Sequence, residues 1–287
     1  MAMAPALPDG ANRHPWSDGF TWALPSHAPT TLSPEQKAAF DRDGFVVLPN
    51  VVDAVTLDAL VGELDALEVK VERFLTAQDG ERFDIAEAGA ITFTVHAVLR
   101  SPAARAFARH PVLVGLTADL LGPDVNLYWD QAVYKKPEKP RRFPWHQDTG
   151  YTFVQPQHYL TCWVALTDAT VDNGCPWILP GVHRAGTLLH RWIDPIGWEC
   201  LNDAPGAVPA EVPAGGAVVF SSLTPHLTGP NTTDAPRKAY IVQYGPAGMQ
   251  AVSGDWVNGG APTGTASCDD PDRQFAVLRN GAPVPVA

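Results

Sequence analysis

Three side chains in this sequence have the types and spacing of a metal chelate. His146 and Asp148 stand two apart in Phe143-Pro144-Trp145-His146-Gln147-Asp148, and His226 follows in Leu223-Thr224-Pro225-His226. On an extended backbone, residues i and i+2 project to one side, so His146 and Asp148 can face one interior. His226 can then join them from a neighbouring strand. Two imidazoles and one carboxylate on a face of an octahedron leave three positions open, the arrangement of non-haem Fe(II) oxygenases. The His-x-Asp spacing alone is a weak signal, more often a local His–Asp hydrogen bond than a chelate. A second feature strengthens it. Arg237 begins what reads as the last strand, and Thr228 stands two residues past His226. A guanidinium there can hold a carboxylate bidentately, with the hydroxyl as a further donor. Metal plus carboxylate anchor is what 2-oxoglutarate requires; a solvated arginine at a strand start is the other use of that position.

The elements that must position these groups are legible from capping and periodicity. Ser33-Pro34-Glu35-Gln36 starts a helix, with Ser33 as cap and Gln36 reaching back, and Asp43-Gly44 ends it. Phe45 to Leu48 is a short strand. Asp53 caps a second helix whose apolar stripe is Leu57, Leu60, Val61, Leu64, Leu67, Val71, Phe74 and Leu75. Residues 102–121 read as a helical pair broken at Pro111 and closed by Gly122. Short β-rich runs follow at Val125–Tyr134, Tyr159–Leu166, Trp177–Leu179, Ala217–Ser222 and Ala239–Tyr244, separated by turn residues. Helices first and strands afterwards predict an α+β, mainly β fold: a sandwich or jelly-roll barrel with the N-terminal helices packed outside. Residues 1–30 form an irregular arm. Residues 180–208, rich in Pro, Gly and Trp, read as an irregular lid or insert. The whole chain, 1–287, reads as a single catalytic domain.

Composition narrows the function classes. The chain has 287 residues, 45% hydrophobic and 18% charged, with Lys+Arg 20 against Asp+Glu 31 and a net charge of −11. That balance argues against a nucleic-acid partner. No window of about 18 apolar residues is present, so no membrane span is expected. The cysteines Cys162, Cys175, Cys200 and Cys268 form no CxxC and read as free thiols of a reducing compartment. With no secretory signal visible, the expected location is the cytoplasm. Lys135, Lys136, Lys139, Arg141 and Arg142 crowd the approach to His146. They read either as a solvated loop at the barrel rim or as a collar attracting an anionic substrate.

Four blocks together carry a family resemblance: Asp43-Gly44-Phe45-Val46; Trp145-His146-Gln147-Asp148; Asp172-Asn173-Gly174-Cys175-Pro176-Trp177-Ile178-Leu179-Pro180-Gly181-Val182-His183; and His226 through Arg237. In these the chain resembles the phytanoyl-CoA dioxygenase family of Fe(II)/2-oxoglutarate oxygenases. The resemblance implies a double-stranded β-helix (jelly roll). It implies His146, Asp148 and His226 as iron ligands, Arg237 and Thr228 as the grip on the distal carboxylate of 2-oxoglutarate, and Trp163 packed beside the co-substrate. Gln131 is a further co-substrate contact, His183 a loop-fixing residue, and His96, His158 and His190 ordinary histidines. The cofactors implied are Fe(II), 2-oxoglutarate and O₂. The reaction implied oxidises a C–H bond of a small organic metabolite, by hydroxylation in the default case, with succinate and CO₂ as co-products. Related halogenases carry a small residue where Asp148 stands, so chlorination is not expected. The competing reading is a cupin-like isomerase or a non-catalytic ligand-binding barrel; Arg237 with Thr228 separates them, since an isomerase has no evident use for that pair.

Overall fold

The computed structural model describes residues 7–285. Helix α1 (Pro34–Asp43) opens on the expected capping box: Gln36 N–H donates to Ser33 Oγ, and Ser33 N–H donates to the Gln36 side chain. It ends at Gly44, whose φ of 83° lies in the left-handed region that glycine tolerates. The chain passes directly into β1 (Phe45–Leu48). Asp53 caps α2 (Ala54–Thr76) by accepting from Thr56 N–H. Of its apolar stripe, Leu60, Leu64, Leu67 and Leu75 are buried, whereas Phe74 is half exposed. Strand β2 (Ile91–Val95) follows, then α3 (Pro102–Phe107) and α4 (Pro111–Leu120), with the break falling where Pro111 forces it.

Eight further strands build the barrel: β3 (Val125–Lys135), β4 (Phe143–His146), β5 (Leu160–Ala165), β6 (Pro176–Ile178), β7 (Val208–Pro209), β8 (Ala217–Ser221), β9 (His226–Thr228) and β10 (Arg237–Pro246). The larger sheet runs β1-β8-β5-β10-β3-β2 and continues into the short hairpin at 82–87; the smaller runs β7-β6-β9-β4. All pairings along both paths are antiparallel. Strands of the two sheets interleave along the chain, which is a double-stranded β-helix. Side-chain alternation divides the larger sheet. Val133, Trp163, Ala165, Val218, Phe220, Ala239 and Ile241 join Phe143 and Ile178 of the smaller sheet in one core. Ala132, Tyr134, Cys162, Val164, Val219, Tyr240 and Val242 face the helices in another. Burial on both faces explains why these strands read as continuous apolar runs.

Three expectations are corrected. Residues 180–208 are not irregular throughout: Arg191–Ile193 pairs with Gly197–Glu199, setting Trp192 opposite Trp198. Leu188, Cys200 and Leu201 are buried in a cluster with Trp145. Nor does Arg237 begin the last strand, because β10 is only the last of the barrel. Residues 250–254, 262–267 and 154–155 form a separate sheet, and Ala276–Arg279 returns to pair with β3. Pro262–Ser267 is exposed at every position, so it carried no hydrophobic signal. Phe143–His146, read only as extended, is a full member of the smaller sheet. The N-terminal arm is irregular as expected but docked. Arg13 bridges to Leu188, His14 donates to Trp256 O at 2.7 Å, and Trp16 Nε1 donates to Gly260 O at 2.6 Å. Its first six residues lie outside those described.

Candidate active site

Pairing of β4 with β9 sets His226 in register with His146, with ring centroids 4.1 Å apart. Asp148 sits in the helical turn that follows β4. Its Oδ1 lies 3.8 Å from His146 Nε2 and 3.7 Å from His226 Nε2, and one ligand atom from each of the three residues falls within 4.8 Å of the others. Each imidazole donates Nδ1–H to a carbonyl two residues back: His146 to Pro144 O at 2.9 Å, His226 to Thr224 O at 3.0 Å. That fixes the tautomer and leaves both Nε2 lone pairs facing the carboxylate, as metal ligands require. Burial, with His226 alongside, pushes the His146 pKa well below its usual value, so the ring is neutral. Asp148 Oδ2 accepts from Thr161 Oγ1 at 2.5 Å, and Gln243 Nε2 donates to that hydroxyl in turn. Between the ligands, Gln147 N–H donates to His190 Nε2, while the Gln147 amide donates to Gly186 O and Leu223 O. The main chain carrying His146 and Asp148 is therefore tied to the loops on both sides.

Arg237 opens β10 on the barrel's inner face and is 1% exposed. Its Nε, Nη1 and Nη2 have no hydrogen-bond partner, and the guanidinium carbon lies 5.0 Å from the Trp163 ring centroid. Burial pushes its pKa down to about 9. A buried cation with no acceptor is costly by itself and calls for an anion. Thr161 and Trp163 neighbour each other on the inner face of β5, roughly 7 Å apart along the strand. One holds Asp148 and the other lies under Arg237, so one face of β5 links the triad to the unpaired guanidinium. Thr228 stands two residues past His226 on β9. Gln131 shares the inner face of β3 with Val133, opposite Ile241, and accepts from Trp129 Nε1 at 3.3 Å.

The basic run is not a free collar. Lys135 is a buried member of β3; Lys136 pairs with Glu68 and Glu72, Lys139 with Glu81 and Glu87, Arg141 with Glu87, and Arg142 with Glu199. The carboxylates that neutralise it come from α2, the 82–87 hairpin region and the 197–199 strand, far away in sequence. His183 is buried beneath Trp22 and donates to Asp41 O, a loop-fixing role. His158 and His190 are buried or nearly so, and His96 takes a left-handed backbone conformation. Two residues, Thr161 and Tyr151, escaped the sequence reading, and Lys135 was read only as part of the basic run at the rim. Thr161 and Lys135 occupy inward positions of β5 and β3, and alternation from Trp163 and from Gln131 would have found them. Tyr151, three residues after Asp148, sets its ring 5.6 Å from that of His146 with a buried hydroxyl.

The sequence profile of the phytanoyl-CoA dioxygenase family matches residues 40–239, which includes every residue of this site. The chain belongs to that family. Among relatives, a methylphosphonate hydroxylase of Gimesia maris is 27% identical over 75% of this chain and 81% of its own. Two solved structures share the fold and somewhat more than a quarter of the sequence. EvdO2 of Micromonospora carbonacea var. aurantiaca, complexed with 2-oxoglutarate, superposes with a TM-score of 0.62 at 27% identity over 79% of this chain and 96% of its own. The epimerase SnoN, in complex with Fe3+, alpha-ketoglutarate and a nogalamycin compound, superposes at 0.60 with 26% identity over 88% and 95%. This member of the family is thus a non-haem iron, 2-oxoglutarate-dependent dioxygenase with O₂ as oxidant, and its barrel is the jelly roll of those enzymes. Small molecules are the substrates that fit it, and no helix among the described residues is long and apolar enough to cross a membrane.

Proposed function

We propose that in this dioxygenase His146, Asp148 and His226 hold Fe(II), that Arg237 with Thr228 grips the distal carboxylate of 2-oxoglutarate, and that Trp163 and Gln131 line the co-substrate's bed. The observation that carries this reading is the fully buried, unpartnered guanidinium of Arg237, which the Trp163–Thr161 face of β5 links to three converging ligand atoms. The donor set fits the metal: two imidazoles whose Nδ1–H is committed to the main chain, with Nε2 free, and one carboxylate whose second oxygen is already engaged by Thr161. When bound, iron with 2-oxoglutarate and O₂ supplies the oxidising power, with succinate and CO₂ as co-products. The chain's residues orient and enclose: Thr161 and Gln147 hold the ligands, and the two apolar walls keep the site dry.

The substrate is a small organic metabolite, oxidised at a C–H bond by hydroxylation. Residues 180–208 act as the lid. In support, their hairpin packs Trp198 against Trp192 and Trp256, with ring centroids 5.5 and 4.9 Å apart, an aromatic wall for an apolar or planar molecule. An anionic substrate has less to rest on, because the run at 135–142 is neutralised by its five glutamates. Residues 1–287 work as one catalytic unit, a reading supported by the docked arm and by the C-terminal strand paired with β3. Four buried free thiols fit a reducing, cytoplasmic setting. The test is substrate-stimulated succinate formation across a panel of small metabolites. Succinate that never exceeds the metal-free control with any of them, in protein shown to bind Fe(II), would contradict the assignment.

A further inference from the structure

Lys135 is 1% exposed, yet it sits on an inward-facing strand position among apolar residues. Its Nζ donates to three main-chain oxygens: Arg141 O at 2.9 Å, Thr228 O at 3.0 Å, and Gly229 O. Three acceptors and no donor surround this nitrogen. Only an ammonium has three protons to give them, because a neutral amine would turn a lone pair toward a carbonyl oxygen. Burial, with Arg237 and Arg141 of the same sign, pushes the Lys135 pKa well down, and the three carbonyls oppose that shift by accepting its hydrogen bonds. Its backbone is directly opposite Arg237 in the β3–β10 ladder. Asn231 closes the cradle by donating to Lys135 O and Ala235 O, on the loop that leads into Arg237. The barrel interior therefore holds two adjacent buried cations, one fully hydrogen-bonded to carbonyls and the other without any acceptor.

We infer that Lys135 is a positioning residue for the co-substrate's distal carboxylate: it pins the Thr228–Gly229 end of β9 beside Arg237 and adds its charge to the field that this carboxylate meets. The inference rests on the assignment of Arg237 as anchor. Lys135 acts through its neighbours, since its own three protons are already committed. An anion placed against Arg237 relieves the repulsion between the two cations, so a ligand lacking that charge gains nothing from Lys135.

The discriminating measurement is the preference for 2-oxoglutarate over 2-oxopentanoate, which has the same chain length and chelating end but no distal carboxylate. Both are titrated calorimetrically into Mn(II)-loaded protein without O₂. In Lys135→Met the preference should fall at least tenfold, mostly through weaker 2-oxoglutarate binding, with Mn(II) affinity unchanged. A merely structural lysine would weaken both ligands alike, so an unaltered preference overturns the proposal. If Lys135→Met does not fold, Lys135→Gln keeps two donors for the carbonyls, removes the charge, and decides by the same ratio. Arg237→Ala in the same assay separates the two readings. If it abolishes the preference while the Lys135 variants keep it, only the role of Lys135 fails. If Arg237→Ala keeps the preference, the anchor assignment fails and the inference falls with it.

Discussion

Each imidazole of the triad spends its Nδ1–H on a carbonyl of its own strand, so the ligands are oriented before any metal arrives. His146→Ala and His226→Ala should therefore abolish Fe(II) binding while the protein keeps its cooperative unfolding; calorimetric metal titration beside a thermal melt checks both, and either variant with intact affinity would refute the ligand set. At Arg237 the logic is reversed, because the side chain waits for its partner. Arg237→Ala should raise the apparent KM for 2-oxoglutarate ten- to a hundredfold, as expected for a charged hydrogen-bonded contact of about 1.5–3 kcal/mol. Arg237→Lys should rescue little, having no planar fork. Arg237→Met should leave the co-substrate-free protein at least as stable, since it removes an unpaired buried charge. With Asp148 in place, the enzyme should release hydroxylated and not chlorinated product in chloride buffer, which mass spectrometry of the product reports.

The junction of α1 and β1 shows how a remote element reaches the metal site. A Cβ at Gly44 would lie 2.5 Å from His183 Nδ1 and 2.6 Å from Thr224 Oγ1, and φ there is +83°. Thr224 donates to Gly44 O, and its own carbonyl takes the His226 Nδ1–H. Gly44→Ala should cost more than the roughly 1–3 kcal/mol of a strained left-handed residue. It should also weaken metal binding, because Thr224 must move; an unchanged urea midpoint would contradict this. The strand-to-strand segment at 135–142 gives the opposite expectation. Arg141 and Arg142 already face Glu87 and Glu199. The double variant Arg141→Ala/Arg142→Ala should therefore lose some stability without a salt-sensitive fall in kcat/KM. A defect that appears at low salt and vanishes at high salt would restore the collar.

Across the whole molecule, buried histidines outnumber buried carboxylates of raised pKa, and this sets the response to acid. Burial holds His158, His183 and His190 down to about 4, from an ordinary value near 6.5. Such groups add stability above pH 6.5, where both states are neutral, and lose it as pH falls toward 4, because the unfolded chain takes up protons first. Asp130, buried against Tyr240 and raised to about 6, works the other way: its contribution is largest near pH 4 and declines as pH rises through 6. Taken alone, these three groups against one give a net uptake of about two protons on unfolding between pH 6 and 4, or roughly 2–3 kcal/mol lost per pH unit. His14, His96, His110 and His146, also held down by burial, add to it in the same direction. Tm should drop steeply over that window. A flat profile from pH 6.5 to 4 would show that these histidines are not buried as described.

What could be read in the chain was whatever local physics decides. Capping at Ser33 and Asp53, the stop at Gly44, the break at Pro111 and the spacing of His146 and Asp148 each depend on a few adjacent residues. Alternation along an extended chain was enough to place two ligands on one face. Tertiary structure alone decided which strand brings His226 to His146, because register across β4 and β9 depends on pairing partners 80 residues apart. It also decided the fate of every charge near the site. Lys135 and Lys136 are indistinguishable as adjacent residues, yet alternation turns one into the barrel and the other toward Glu68 on α2. Burial and pairing of a charge are properties of distant segments brought together, and no window of sequence contains them.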